Sequence, residues 1–271
     1  MTSPLKEAPP FPSIGEAVAL TLTATLIQAF LLLLLIASHG PRVAFSGMST
    51  MVGFGVAFTL GAARLHGPPG GSLGFVRASP RVWIAVPFLL GTLLVTSELH
   101  NILVGLFPYP EEFEPMRPAG AAAILEWAVV LMLVLPAAEE LFFRGLLQPG
   151  LVLRLGTWKG IALTALLHGL AAGLLRDPRS APAIAGGALV LGFLRHSSGS
   201  LLPVLALSVL SGGVALLATL DFFGIPGFDD LSEAHTPLGW VVTGALSMGI
   251  GLLLCREDES APSRPEEPTG E

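Results

Sequence analysis

Apolar runs long enough to cross a bilayer recur through almost the whole chain, at 14–38, 43–65, 82–107, 121–153, 158–175, 181–194, 200–220 and 237–255. A span needs about 20 apolar residues, and inside hydrocarbon a helix bonds its own backbone groups. The chain therefore reads as all-α, a polytopic membrane bundle of about eight transmembrane helices. Composition agrees: 52% of the residues are hydrophobic, 13% are charged, and the mean hydropathy is +0.73. Eight spans fill most of 271 residues. One transmembrane domain is thus expected over 14–255, between a polar N-terminal tail (1–13) and a disordered, acidic, Pro-rich tail (256–271). The first run is too long for the apolar core of a signal peptide and lacks a clear cleavage site, so it is expected to remain as a span. The sixth run is short and holds Gly186, Gly187 and Gly192, which predicts a tilted or partly irregular segment.

Orientation follows from Lys and Arg in the loops. With the N-terminus inside, Lys6, Arg64, Arg77, Arg81, Arg154, Lys159, Arg195, Arg256 and Arg264 lie inside, against Arg42, Arg117, Arg176 and Arg179 outside. This favours both termini in the cytoplasm of a bacterial-type plasma membrane. The loops with Glu111, Glu112 and Glu114, and with Asp221, Asp229, Asp230 and Glu233, then fall outside. The net charge of -6 comes largely from Glu257, Asp258, Glu259, Glu266, Glu267 and Glu271 in the tail, so it does not signal an acidic binding face. No nucleic-acid partner is expected. Cys255 is the only cysteine, which excludes disulfides and cysteine-rich zinc sites.

The fourth run holds Glu139, Glu140 and Arg144. Ionised groups cost at least ~2.5 kcal/mol each at the centre of a span, so such a cluster points to function. Glu140 and Arg144 are four apart and can pair. Glu139 points about 100° away on a helix, and is expected to be left free to face a cavity. His168 lies in the next run; counted from the shared loop, both it and Glu139 sit roughly 15 Å deep. A carboxylate beside an imidazole in a dry cavity suits the activation of water. The same pair suits part of a metal site, although a catalytic zinc takes three protein ligands. Glu98, His100 and Asn101, late in the third run, are expected to be interfacial or packing residues. His39, His66 and His235 are in loops, and Trp83, Trp127, Trp158 and Trp240 near span ends read as interface anchors.

Glu139-Glu140-x-x-x-Arg144, His168 on the next span and Gly199-Ser200-Leu201-Leu202-Pro203 together resemble the CAAX prenyl protease and bacteriocin-processing (CPBP) family of intramembrane proteases, over about 121–213. Leu73-Gly74-Phe75 adds a weaker likeness. The resemblance implies an endopeptidase with Glu139 as general base, Glu140 and Arg144 as its supporting ion pair, and His168 holding water or metal in a pocket open to the cytoplasm. It leaves a zinc ion open, with Glu139 and His168 as ligands. The chain departs from the pattern at Thr164, where the family has Phe, and at Ser208 and Gly212, where it has His and Asn. Ser208 is expected to supply one hydrogen bond from the same face, while Ser211 and His196 are not replacements by spacing. The expected partners are the lipid bilayer and a peptide or lipid-anchored protein substrate. The competing reading is a catalytically impaired relative acting as a membrane binding or regulatory scaffold. Transport is disfavoured by the lack of an internal repeat.

Overall fold

The computed structural model describes residues 10–37, 42–65, 69–110, 116–229 and 235–256, and among these it holds helices and no strand. Lys6, His39, His66, Glu111, Glu112, Glu114, Asp230, Glu233 and the tail from Glu257 onward, including Arg264, lie outside the described residues.

Helix α1 (Ile14–Ala37) starts from a reciprocal cap. The Ser13 N–H donates to Glu16 Oε2 (2.7 Å), and the Glu16 N–H donates to Ser13 Oγ (3.3 Å), which satisfies two N–H groups that a helix start leaves open. Helix α2 (Arg42–Ala62) packs along α1. Leu22, Leu26, Phe30 and Leu33 form a stripe on α1 that is more than half exposed, as a lipid-facing surface requires. After the short α3 (Pro69–Leu73), α4 (Pro80–Leu89) and α5 (Thr92–Leu106) form one span, with Pro87 inside α4 and a break before Thr92.

A single helical rod then runs over Gly120–Leu155, 36 residues, or ~54 Å at 1.5 Å per residue. It comprises α6 (Gly120–Val129), a π-helical turn (Val130–Val134), α7 (Leu135–Glu140), a second π-helical stretch (Leu141–Leu147) and α8 (Gln148–Leu155). Both π stretches have a sequence cause. Each closes just before a proline, Pro136 or Pro149, which lacks an N–H and whose ring collides with the carbonyl four residues earlier. The helix widens to an i to i+5 register, with Leu135 N bonded to Val130 O and Gln148 N to Phe143 O. In that register Leu131 O and Arg144 O would pair with proline nitrogens that carry no hydrogen. Arg195 Nε donates to Arg144 O instead (3.3 Å).

Helices α9 (Thr157–Arg176), α10 (Ala181–Ser198), α11 (Leu202–Thr219) and α12 (Leu238–Cys255) complete the bundle. Among the described residues, seven helices are long and apolar enough to cross a membrane: α1, α2, the α4–α5 pair, the long rod, α9, α11 and α12. The expected sixth span, α10, is a regular helix rather than an irregular one. It extends to Ser198 and is less apolar at its Arg195-His196-Ser197-Ser198 end.

Two apolar clusters flank the middle of the bundle. One joins α1, α2, α8, α9 and the second π stretch around Phe54, Phe142 and Phe143, whose ring centroids are 5.0 to 5.3 Å apart. The other joins α4, α10, α11 and α12 around Leu89, Leu194 and Val204, and buries Cys255 at the end of α12. Lipid tails are as apolar as leucine, so such contacts gain mainly from dispersion and close fit. Helices α9 and α10 approach closely, and a Cβ at Gly169 would lie 2.7 Å from Ala181 O and from the Ala185 Cβ.

Candidate active site

Glu139 and Glu140 end α7, and Arg144 lies on the π stretch that follows, so the widened register decides where their side chains go. His168 faces them from α9, beside the glycine that brings α9 onto α10. His168 Nε2 lies 3.2 Å from Glu139 Oε2, and His168 Nδ1 lies 2.6 Å from Arg144 Nη1. A guanidinium only donates, so Nδ1 accepts, Nε2 carries the proton, and the ring donates to Glu139. The Phe143 ring stacks on the imidazole at 4.4 Å and 15°, which fixes its plane.

Arg144 is fully buried. Its Nη1 is 3.2 Å from Glu140 Oε2, and its Nη2 donates to Ala188 O on α10 (3.0 Å). Glu140 Oε1 accepts from Ser208 Oγ on α11 (3.0 Å). The five expected residues, Glu139, Glu140, Arg144, His168 and Ser208, are thus brought together from four elements, α7, the second π stretch, α9 and α11. All except Arg144 line a cavity of about 360 Å³ whose other walls are mostly apolar, including Leu89, Leu135 and Leu207.

One expectation is corrected. Glu139 is not left without a partner: Arg176, at the last residue of α9, reaches back and pairs with Glu139 Oε1. A charge count alone puts Arg176 in an outer loop, whereas its long side chain, two turns beyond His168, is the signal that it reaches back into the bundle. Ser208 does donate one hydrogen bond from this face, and its proton goes to Glu140.

The Gly212 position is closed. A Cβ there would collide with Leu131 O, the carbonyl left without a helical N–H by Pro136. Ser211 lines the cavity, whereas His196 is exposed and lies against Thr157 (3.3 Å). Thr164 is buried and donates to Gly160 O (2.8 Å). Zinc does not fit these residues. Two donors, Glu139 and His168, fall short of three, both ring nitrogens are engaged, and two guanidiniums adjoin the carboxylates. Among the described residues no group of three His, Cys, Asp or Glu side chains is placed to hold a metal ion.

Glu98 and Asn101 act as packing residues. Glu98 accepts from the Thr236 N–H (2.8 Å) and faces His235 Nδ1 (2.7 Å), while Asn101 donates to Gly227 O (2.7 Å). His235, in a loop as expected, is part of this knot. The cavity lining belongs to the half of the bundle that ends at Arg176, Ala181 and Thr219. Arg64, Arg81, Arg154, Lys159 and Arg256 gather at the other end.

Residues 121–214 match the family described as Type II CAAX prenyl endopeptidase Rce1-like. That stretch is Rce1-like. It carries the likeness to the CPBP family over the length expected from the motifs, and with seven helices among the described residues long and apolar enough to cross a membrane the chain reads as an integral membrane protein. No curated protein matches the chain.

Proposed function

We propose that the chain is an intramembrane endopeptidase that hydrolyses a peptide bond with water activated by Glu139. The observation that carries this reading is a histidine-bonded carboxylate at the wall of an otherwise apolar cavity inside an Rce1-like segment. Water held there gives its proton to Glu139 as its oxygen attacks the peptide carbonyl, and Glu139 then delivers that proton to the leaving amine. His168 donates to Glu139 and keeps the carboxylate aimed, and Arg144 holds His168 in the donating tautomer. The charge developing on the carbonyl oxygen needs a donor in the cavity. With Ser208 and Gly212 at the family's His and Asn positions, Arg176 is the cation beside Glu139 that fills this role.

The substrate is a peptide or lipid-anchored protein segment that enters from the membrane. If the basic end of the bundle is cytoplasmic, as the Lys and Arg count has it, the cavity lies toward the outer side. A cytoplasm-facing mouth and cytoplasmic termini are therefore alternatives rather than one picture.

A second reading, a family fold kept as a binding scaffold, is favoured by one observation: Gly212 is packed onto Leu131 O, and Ser208 is spent on Glu140. The experiment that separates the two uses purified protein with quenched-fluorescent peptides, lipidated and unlipidated. Cleavage by the wild type that is lost in Glu139→Gln, with unchanged elution and unfolding temperature, supports hydrolysis by this site. Equal cleavage by Glu139→Gln would refute the mechanism, and binding without cleavage by either protein selects the scaffold.

A further inference from the structure

Charge is balanced at one end of the bundle and unbalanced at the other. Arg117, Arg176 and Arg179, toward the end where α9 finishes and α10 begins, each pair with a carboxylate, on Asp221, Glu139 and Asp177. At the opposite end, Arg77, Arg154, Lys159, Arg195 and Arg256 pair with no carboxylate among the described residues. The one acidic side chain described there, Glu16, is taken by Arg64 (2.6 Å) and by the Ser13 N–H (2.7 Å).

Backbone and side-chain bonds link these cations across one face. Thr157, in the turn that carries Arg154 and Lys159, lies 3.3 Å from His196 at the end of α10. Its neighbour Arg195 donates to Leu73 O (3.3 Å), and Ser200 Oγ donates to Val76 O (2.6 Å), so the turn that carries Arg77 lies against the end of α10 and the start of α11. Gly74 in that turn has a φ of 81°, and a Cβ there would collide with the Arg195 guanidinium. Arg81, at the start of α4, donates to Leu253 O (3.4 Å), three residues before Arg256. Apolar side chains are interleaved with the charges. Leu153 and Trp158 are more than two-thirds exposed, and Phe75, Val76 and Trp83 more than two-fifths. Trp158 is fixed in that position by stacking on Phe193 at 5.8 Å and 11°.

We infer that this face binds the headgroups of anionic phospholipids in the leaflet it meets. Arg77, Arg154, Lys159 and Arg256 each lie within three residues of the end of a membrane-spanning helix, which puts them at the boundary between hydrocarbon and water. Exposed Trp and aliphatic side chains settle at the acyl border there, while Lys and Arg stems run along apolar surface and carry their charge to the level of the phosphates. A guanidinium takes a phosphate through two parallel N–H bonds, and each basic residue near an anionic surface strengthens attachment about fivefold. A zwitterionic headgroup brings its own cation and offers no net charge to this face. The acidic residues that follow Arg256 in the sequence are the competing anion within the chain. Lipid binding here does not depend on hydrolysis in the cavity.

The test is lipid binding to the purified full-length protein in a neutral detergent. Phosphatidylglycerol and phosphatidylcholine with identical acyl chains are added separately, and bound lipid is counted by native mass spectrometry. The wild type is expected to bind phosphatidylglycerol roughly tenfold or more tightly than phosphatidylcholine, and added salt is expected to reduce the difference. A variant combining Arg77→Gln, Lys159→Gln and Arg256→Gln, three exposed positions, is expected to lose the preference, whereas Arg117→Gln at the other end is expected to keep it. If the triple variant fails to fold, Lys159→Gln and Arg256→Gln are read singly, each with an expected loss of about fivefold in affinity for phosphatidylglycerol. Equal affinity of the wild type for the two lipids would leave the acidic tail as the occupant and overturn the inference. A preference untouched by these substitutions, or lost equally in Arg117→Gln, would overturn it as well. Displacement of phosphatidylglycerol by an equal concentration of soluble glycerol 3-phosphate would reduce the face to a general anion surface and refute lipid binding.

Discussion

Glu98 and Glu139 are both carboxylates on spanning helices, each bonded to a histidine, yet they do different things. Glu98 takes bonds from Thr236, His235 and Asn101 and ties the loop after α11 onto α5. Glu139 takes bonds from His168 and Arg176 but also lines a cavity. A carboxylate on a spanning helix is thus read by whether it only ties segments of protein together, as Glu98 does, or also lines a cavity, as Glu139 does.

The contrast can be broken most severely beneath Glu139. Arg144→Ala would leave Glu140 as an uncompensated buried charge and strip His168 and Ala188 O of a donor, a loss of about 3 to 5 kcal/mol. Folded yield in detergent is expected to collapse, and a normal unfolding temperature would show that Arg144 is not the keystone of the site. Glu98→Ala is expected to cost less, about 2 to 3 kcal/mol, seen as a lower unfolding temperature while cleavage per folded molecule persists. Loss of cleavage in this variant would erase the distinction between the two carboxylates.

The smallest effect lies in the loop at the same end as Glu98. Burial raises the Asp177 carboxyl, but the bonds from Tyr109 and from the Arg179 backbone, and the Arg179 guanidinium, outweigh it and hold the group below its ordinary value. A depressed carboxyl stabilises the fold above its unfolded value, about 3.9, and that contribution is lost as the pH falls through the lower folded value. Unfolding temperature is therefore expected to drop at acid pH less steeply in Tyr109→Phe than in the wild type; parallel curves would show that Tyr109 does not hold Asp177.

Much of this was legible along the chain. Apolar runs placed the helices, and the equal depth of Glu139 and His168 anticipated their contact. Ser208 was placed at the site but not with its proton on Glu140. Arg176 was missed because a charge count treats an end-of-helix arginine as belonging to the loop. The π stretches were missed although their prolines are in plain view, because Pro136 and Pro149 specify a widened helix only when neighbours such as Arg195 take up the carbonyls they release.

The sequence alone determined that this chain is a helical membrane protein with an Rce1-like ionisable cluster, because hydrophobic run length and residue spacing are local properties. Whether each buried charge is satisfied was decided only in three dimensions. Arg176 reaches Glu139, Gly212 closes on Leu131 O, and Ser208 bonds Glu140 through contacts between helices far apart in the chain. Those contacts are set by packing, which no single segment contains.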